Sequence, residues 1–479
     1  MNEIGVLPDD VLLEIFYFYL EMNLPHRNKM WIESWRSLVH VCRRWRSIVF
    51  ASPRRLNLQL YCTPETPAKV TLDVWPAFPL IVEGNVTDSS MDNVIAALGR
   101  NNHVCEVDLI VAGQQLEELL ATMKVPFPEL TVLKLWSDRF GAPAIPDSFL
   151  DGSAPRLQEL SLGGIVFPAL PKLLSSTTRL VDLRLICESQ SEYFSPETIT
   201  ATLSVLPCLR KFYLRFRPFR YLPDQERQSL PPPKRSILPS LNKFCFVGAS
   251  GYVEDLVTNI DAPQLGEMSV SFLDLINNYH CPRLAQFINR TPTLRAFDKA
   301  HVTFGHWSAS VALMARDSTL EVEIETSSTE PSWQVSSAGQ ICNSSIDPIS
   351  RTEDLYIEHN HFQVVWKRYP IRNSSWLQLL LPFTAVKNLY LSKEFAAGVA
   401  TALQELVGGG ITDVLPNLQK IFVNGSPEPS RGWKENIEQF LIARQLSGRP
   451  VDLCFWRKIR LYPWQEEERE SAYCREENV

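Results

Sequence analysis

Apolar residues recur along this chain in one short pattern, apolar-x-x-apolar-x-apolar, often preceded by proline. It starts at Val104 (VCEVDL), Leu130 (LTVLKL), Leu157 (LQELSL), Leu180 (LVDLRL) and Leu209 (LRKFYL). Weaker copies start at Leu241 (LNKFCF), Leu265 (LGEMSV) and Leu294 (LRAF), and degenerate ones at Thr319 (TLEVEI) and Thr352 (TEDLYI). Clear copies return at Val386 (VKNLYL) and Leu418 (LQKIFV). The alternation within each copy predicts a strand with one buried face. Starts lie from 23 (Leu157 to Leu180) to 34 (Thr352 to Val386) residues apart, which predicts one strand and one return segment per unit.

The return segments carry apolar residues at three- and four-residue spacing and end at proline or polar stops. Residues 90–100, 114–124, 196–206, 251–260 and 282–291 are therefore predicted helices. Strand, helix and strand at this period predict a right-handed βα solenoid with a parallel sheet on its concave face. Inward positions are apolar, and the residues between them face outward. The outward set includes Lys134, Trp136, Asp182, Arg184, Lys211, Tyr213, Arg215, Asn388, Tyr390 and Phe422. Of these, Lys134, Trp136, Arg184, Lys211, Tyr213, Arg215 and Tyr390 are the candidate target-binding residues, because Trp, Tyr and Arg dominate binding hot spots. Arg184, Lys211 and Arg215 on neighbouring units point to an acidic or phosphorylated target.

The N-terminus departs from this pattern. Residues 6–20 read VLPDDVLLEIFYFYL, with Pro8 suited to a helix start and Asp9 and Asp10 placed at the positive end of the helix dipole. From Val11 to Leu20 only Glu14 is strongly polar, so this helix needs burial on two sides. A second helical stretch, WRSLVHVCRRWRSIVF over 35–50, puts Leu38, Val41, Cys42 and Trp45 on one stripe and Arg43, Arg44 and Arg46 off it. These helices either cap the end of the solenoid or dock a second protein.

The pairing LPDDVLLEIF with LVHVCRRWR resembles the F-box, at Leu7, Pro8, Leu12, Ile15, Phe16, Leu38, Val41, Cys42, Arg43 and Trp45. The resemblance implies that Leu7, Pro8, Leu12, Ile15, Phe16, Leu38, Val41, Cys42 and Trp45 clasp a Skp-type adaptor. Through that adaptor the chain would join a cullin–RING ubiquitin ligase of the SCF type as its substrate receptor. The segment Glu21–Ser34 is longer than the family's usual connection between the first two helices. The body resembles the leucine-rich-repeat region of F-box proteins from mushroom-forming fungi, through SPRRLNLQLYC, DVWPAFPLIVEG, SAPRLQELSL and FTAVKNLYLS. It lacks the asparagine ladder of ordinary leucine-rich repeats, since Asp138, Ile165, Glu188, Arg217 and Ala249 stand there. Irregular coils are expected, because the turns must satisfy their backbone groups otherwise.

The expected organisation is an α/β repeat protein: an all-α F-box over 1–52, connecting strands and a first helix over 53–101, an irregular leucine-rich-repeat solenoid over 102–445, and a C-terminal segment over 446–479. Residues 218–239 form a Pro-rich loop, read as surface chain with the alternatives of an SH3 or WW docking motif or a nuclear-localisation element at Lys234–Arg235. The tail 464–479 is highly charged and expected to fray.

Composition changes this picture little. A net charge of −7 over 479 residues argues against a broad nucleic-acid footprint. The apolar run Val11–Leu20 is too short to span a bilayer, and no secretory leader is expected. Ten cysteines occur with no CxxC, as reduced thiols of the cytoplasm or nucleus do, so the sequons at Asn85, Asn289, Asn343 and Asn373 are discounted. No GxSxG, Walker loop or HExxH occurs, and Gly408–Gly410 reads as a helix stop. His359 and His361 share a strand face without a third ligand, and His280 beside Cys281 makes no nucleophile pair. No enzymatic activity, cofactor or metal is expected; the expected partners are the adaptor, its cullin and an unknown target protein, with no nucleic acid and no membrane.

Overall fold

Helix and strand alternate through the body in a computed structural model of the chain, which describes residues 7–21, 34–53, 55–137, 144–187, 194–216, 235–273, 280–325, 331–344, 346–359, 371–408, 410, 412–424 and 433–456. The chain divides into two compact units, the first comprising Met1–Asp274 and Cys281–Thr293, the second Leu275–His280 and Leu294–Val479.

The first unit opens with three helices, α1 (Asp9–Glu21), α2 (Trp35–Val41) and α3 (Arg43–Ala51). Strands and helices then alternate: β1 (Leu60–Cys62), α4 (Ala68–Val74), β2 (Leu80–Val86), α5 (Met91–Leu98), β3 (Val104–Val111), α6 (Gly113–Thr122), β4 (Val132–Ser137), β5 (Glu159–Gly163), α7 (Leu170–Ser176), β6 (Asp182–Cys187), α8 (Pro196–Ser204) and β7 (Lys211–Phe216). A two-residue β8 (Ser236–Ile237), β9 (Lys243–Gly248), α9 (Ser250–Thr258), the short β10 (Ile260–Asp261), β11 (Glu267–Phe272) and α10 (Pro282–Arg290) complete it. Its sheet runs β1-β2-β3-β4-β5-β6-β7-β9-β11, each neighbour parallel. Spatial order therefore follows chain order, the arrangement of a repeat array. Helices α5, α6, α8, α9 and α10 lie where the three- and four-residue spacing predicts them.

The second unit contains β12 (Lys299–Phe304), β13 (Ser308–Met314), β14 (Thr319–Glu325), α11 (Pro331–Cys342), β15 (Asp354–His359), α12 (Asn373–Leu380), β16 (Asn388–Leu391), α13 (Lys393–Gln404), β17 (Lys420–Asn424), α14 (Trp433–Leu446) and β18 (Asp452–Trp456). Its strand order is β14-β13-β12-β15-β16-β17-β18. Here the expected all-parallel sheet is corrected, because β12 pairs antiparallel with β13, and β13 antiparallel with β14. The connections Gly305–Trp307 and Ala315–Ser318 are too short for the crossover that a parallel pair requires. LRAF and TLEVEI are accordingly not two repeat units. The strand after LRAF begins only at Lys299, and TLEVEI ends a meander inserted before β12 rejoins β15 in parallel.

Main-chain bonds link successive units at the start of their strands. The carbonyl just before each strand accepts from the N–H groups of the next unit: Thr131 O from Gln158 N at 2.8 Å, Gln158 O from Val181 N at 2.8 Å and Val181 O from Arg210 N at 2.8 Å. The second unit repeats the device, with Lys387 O accepting from Gln419 N and Gln419 O from Asp452 N, both at 2.8 Å. Buried threonines close several segments on themselves: the hydroxyls of Thr177, Thr291 and Thr352 donate to the carbonyls of Leu174, Phe287 and Ile349. Such bonds satisfy groups that burial would otherwise make costly.

Inward leucines give way to aromatics in later units of the first body. Phe212 and Phe244 stack at 5.8 Å, and Tyr252 of α9 packs on Phe216 at 4.7 Å while its hydroxyl donates to Phe194 O at 2.9 Å. The N-terminal helices join the array through a second cluster. Trp35 of α2 lies 5.1 Å from Trp75 and 5.4 Å from Phe78, and its indole N–H donates to Gln59 O at 3.0 Å.

Candidate functional site

Alternate residues of β4, β6 and β7 point away from the buried leucines, as period two requires. Burial follows the sequence: Leu133, Leu135, Leu183, Leu185, Phe212 and Leu214 are buried, while Lys134, Trp136, Arg184, Tyr213 and Arg215 are half-buried and Lys211 is exposed. Register pairs place Lys134 beside Ser161, Asp182 beside Lys211, and Arg184 beside Tyr213. Six of the seven candidate target-binding residues thus share the open face of the first unit. The seventh, Tyr390, lies on β16 of the second.

Charge on this face is sorted by position. At β1–β3, Tyr61, Glu83, Glu106 and Asp108 come together, and burial together with Glu83 pushes the Tyr61 phenol above its ordinary range. At β4–β5, Lys134 is committed to Glu159 at 2.8 Å. At β6–β7 the Arg184 guanidinium stands 4.7 Å over the ring of Tyr213, whose hydroxyl meets Arg215. Burial raises the Tyr213 phenol and outweighs the two arginines. Asp182 is also raised, first by burial and then by Glu159, against the opposing effect of Lys211 and Arg184. Two guanidiniums around one half-buried phenol form a cationic, planar site that can take a carboxylate or phosphate bidentately.

The N-terminal helices form a second surface. Leu12, Phe16 and Leu38 are buried in the chain's own core, where Phe16 packs on Trp45 at 4.7 Å. Ile15 (46% exposed) and Val41 (59%) face solvent, and so does Cys42. Leu7 and Trp45 are intermediate, and Pro8 is exposed. The nine expected adaptor contacts therefore divide into core supports and surface. Cys42 also caps α3, its Sγ accepting from Trp45 N at 3.4 Å. Arg44 is tied to the start of α1, donating to Asp9 Oδ1 at 2.6 Å and to Leu7 O at 2.5 Å. Val11, Ile15 and Phe18, at i, i+4 and i+7, make a continuous exposed apolar stripe on α1.

Ile15 and Phe16 are not separable in the sequence, and Val11 and Phe18 are marked there only by their helical spacing from Ile15. The second unit also carries a column of stacked rings. His301 stacks on Tyr356 at 4.3 Å, Tyr356 on Tyr390 at 4.2 Å and Tyr390 on Phe422 at 4.5 Å. The signal was an aromatic between two inward apolar residues in LYI, LYL and IFV.

Among the described residues, no group of three or more His, Cys, Asp or Glu could hold a metal ion, and no helix is long and apolar enough to cross a membrane. His359 Nε2 meets Glu394 Oε2 at 3.3 Å. Cys281 is buried at the start of α10. His361, most of the Pro-rich loop, the long inter-helix segment, Asp138, Glu188 and Arg217 of the missing ladder, and the charged tail lie outside the described residues.

Fold and surfaces together define an α/β chain in which helices alternate with a mostly parallel sheet whose open face carries polar and aromatic residues. No family model matches it, and no curated protein matches it. Among solved structures it is similar to the crystal structure of the leucine-rich repeat-containing protein LegL7 from Legionella pneumophila, at 12% identity over 82% of this chain and 97% of that one, with a TM-score of 0.29. The likeness is distant.

Proposed function

We propose that this chain is a protein-binding subunit of the F-box kind: its N-terminal helices dock a Skp-type adaptor, and the open sheet face holds a target protein for ubiquitination by the cullin–RING ligase so assembled. The chain supplies position rather than catalysis and works in the cytoplasm or nucleus. The observation that carries this reading is the stripe Val11, Ile15 and Phe18. The helices already possess a core in Leu12, Phe16 and Leu38, yet α1 keeps large apolar side chains on its solvent side. A solenoid cap needs no such surface, since a cap is polar on its outer face. The residues that resemble the F-box signature, LPDDVLLEIF and VCRRW, support the choice of partner.

The test is capture of a purified fungal Skp adaptor by the full chain. Retention that is lost in Ile15→Glu, with the thermal melt unchanged, supports the reading. A wild-type chain that retains no adaptor removes the ligase role and leaves a protein-binding repeat body.

A further inference from the structure

The cations on the open face of the first unit are not alike. Each lysine there has a carboxylate at hand: Lys134 meets Glu159 at 2.8 Å, Lys243 meets Glu267 at 3.3 Å, and register sets Lys211 beside Asp182. Among the described residues, neither Arg184 nor Arg215 makes an ion pair. Arg184 lies over the ring of Tyr213 and Arg215 meets its hydroxyl, so both guanidiniums rest on a neutral group. The Arg215 Nε is buried and has no hydrogen-bond partner, although the side chain as a whole is only half-buried. Two charges without a counter-ion, one of them with an orphan donor, make an incomplete arrangement. The row that contains Arg215 is otherwise apolar: register runs it as Trp136, Gly163, Ile186, Arg215 and Val247. Trp136 covers Gly163, which brings the indole next to Ile186, and both side chains are half-buried.

We infer that this place binds a phosphotyrosine of a target polypeptide, its phosphate between Arg184 and Arg215 and its ring on Ile186 and Trp136. Charge complementarity selects a phosphate. A phosphate monoester carries about −2 charge at pH 7 and three acceptor oxygens, enough to engage both guanidiniums, whereas a carboxylate brings a single charge. The apolar half of the row selects an aryl ester. Adjacent strands lie about 4.8 Å apart, so an aromatic ring lying on Ile186 carries its para substituent to Arg215. A phosphoserine offers the same anion but nothing to lay against the indole and Ile186. The inference rests on the reading of this face as the target-binding surface and is independent of adaptor docking.

The experiment is fluorescence anisotropy on the full chain with four labelled Gly–Ser peptides that differ at one central residue: phosphotyrosine, phosphoserine, tyrosine or glutamate. The phosphotyrosine peptide should bind at least tenfold more tightly than the tyrosine and glutamate peptides, and several-fold more tightly than the phosphoserine peptide. Arg215→Gln should remove binding of both phosphopeptides, and Arg215→Lys, which keeps the charge but not the planar fork, should weaken it several-fold. Trp136→Leu should bring phosphotyrosine down to the phosphoserine level and leave phosphoserine unchanged. Lys243→Gln, at an ion-paired lysine of the same face, should change binding less than twofold. Thermal melts of each variant separate loss of contact from loss of fold. Equal affinity for the two phosphopeptides, or equal loss in Arg215→Gln and Lys243→Gln, overturns the assignment. So does the absence of binding by any peptide; targets that are still lost when Arg184 and Arg215 are reversed would then keep the face as a binding surface for another chemistry.

Discussion

Trp136 of β4 lies flat across the backbone of Gly163 on β5, so closely that a methyl group at Gly163 would collide with the indole ring. The glycine therefore sets where the largest side chain of the first unit's open face can rest. Gly163→Ala should displace the ring, redden and raise its solvent-exposed fluorescence, and cost about 1–3 kcal/mol in urea titration, the usual range for overpacking. Trp136→Leu combined with Gly163→Ala should recover most of that loss. If the double variant is no more stable than Gly163→Ala alone, the two residues are not coupled.

The N-terminal helices predict a split between two adjacent residues. Phe16 is fully buried against Trp45, so Phe16→Ala should cost about 3–5 kcal/mol and lower the melting temperature. Ile15→Glu faces water and should leave the melt within a degree or two while abolishing adaptor capture. Loss of capture in Phe16→Ala alone would then report unfolding rather than contact.

Arg184 and Arg215 flank Tyr213, and reversing both charges should remove acidic or phosphorylated targets while the adaptor is still retained. Tyr213→Leu should have a smaller effect, since it removes the surface Arg184 rests on but not the charges. Mass spectrometry of proteins recovered with each variant under proteasome inhibition checks this; unchanged recovery moves the target site off β6–β7.

These residues also show what the sequence could reveal. Period-two alternation was enough to put Lys134, Arg184, Tyr213 and Tyr390 on the outward face, because a one-residue slip would bury every charge. Helix positions followed from spacing for the same reason. The β12–β14 meander was not legible, since TLEVEI reads alike in a parallel repeat and an antiparallel hairpin, and only the connection length distinguishes them. Nor could a helix as apolar as α1 declare which side is core: Ile15 and Phe16 differ in burial through what α3 brings beside them. The ring column depends on register between strands far apart in the chain, from His301 to Tyr356 to Tyr390 to Phe422, which a single strand pattern does not contain.

Arg444 is buried on α14 and holds the turn before β17. Its guanidinium donates to the carbonyls of Leu418 at 3.2 Å, Pro416 at 3.3 Å and Leu415 at 3.5 Å, and burial lowers its pKa. Arg444→Met keeps the stem but strips these carbonyls of a donor in a place with little water. About 2–4 kcal/mol should be lost, with hydrogen exchange accelerating first in β17 and β18. Uniform acceleration across the second unit would mean that Arg444 supports the whole core instead.

Glu394 opens α13, and a hydrogen bond from His359 is the main reason its carboxyl is held down to about 2, against the opposing effect of burial. Its own backbone N–H at the helix start adds to that effect. A folded pKa below the ordinary 4.5 means that the unfolded chain takes up this proton first as pH falls. The carboxylate thus stabilises the fold fully above about pH 5, and that contribution disappears between 4.5 and 2. Because the side chain is 39% exposed, solvent screens the pair and the contribution is modest. Glu394→Gln should therefore be slightly less stable than wild type at pH 6, and the two denaturation curves should converge as pH approaches 2. A stability difference that stays constant across that window would show that the carboxylate charge does not set it.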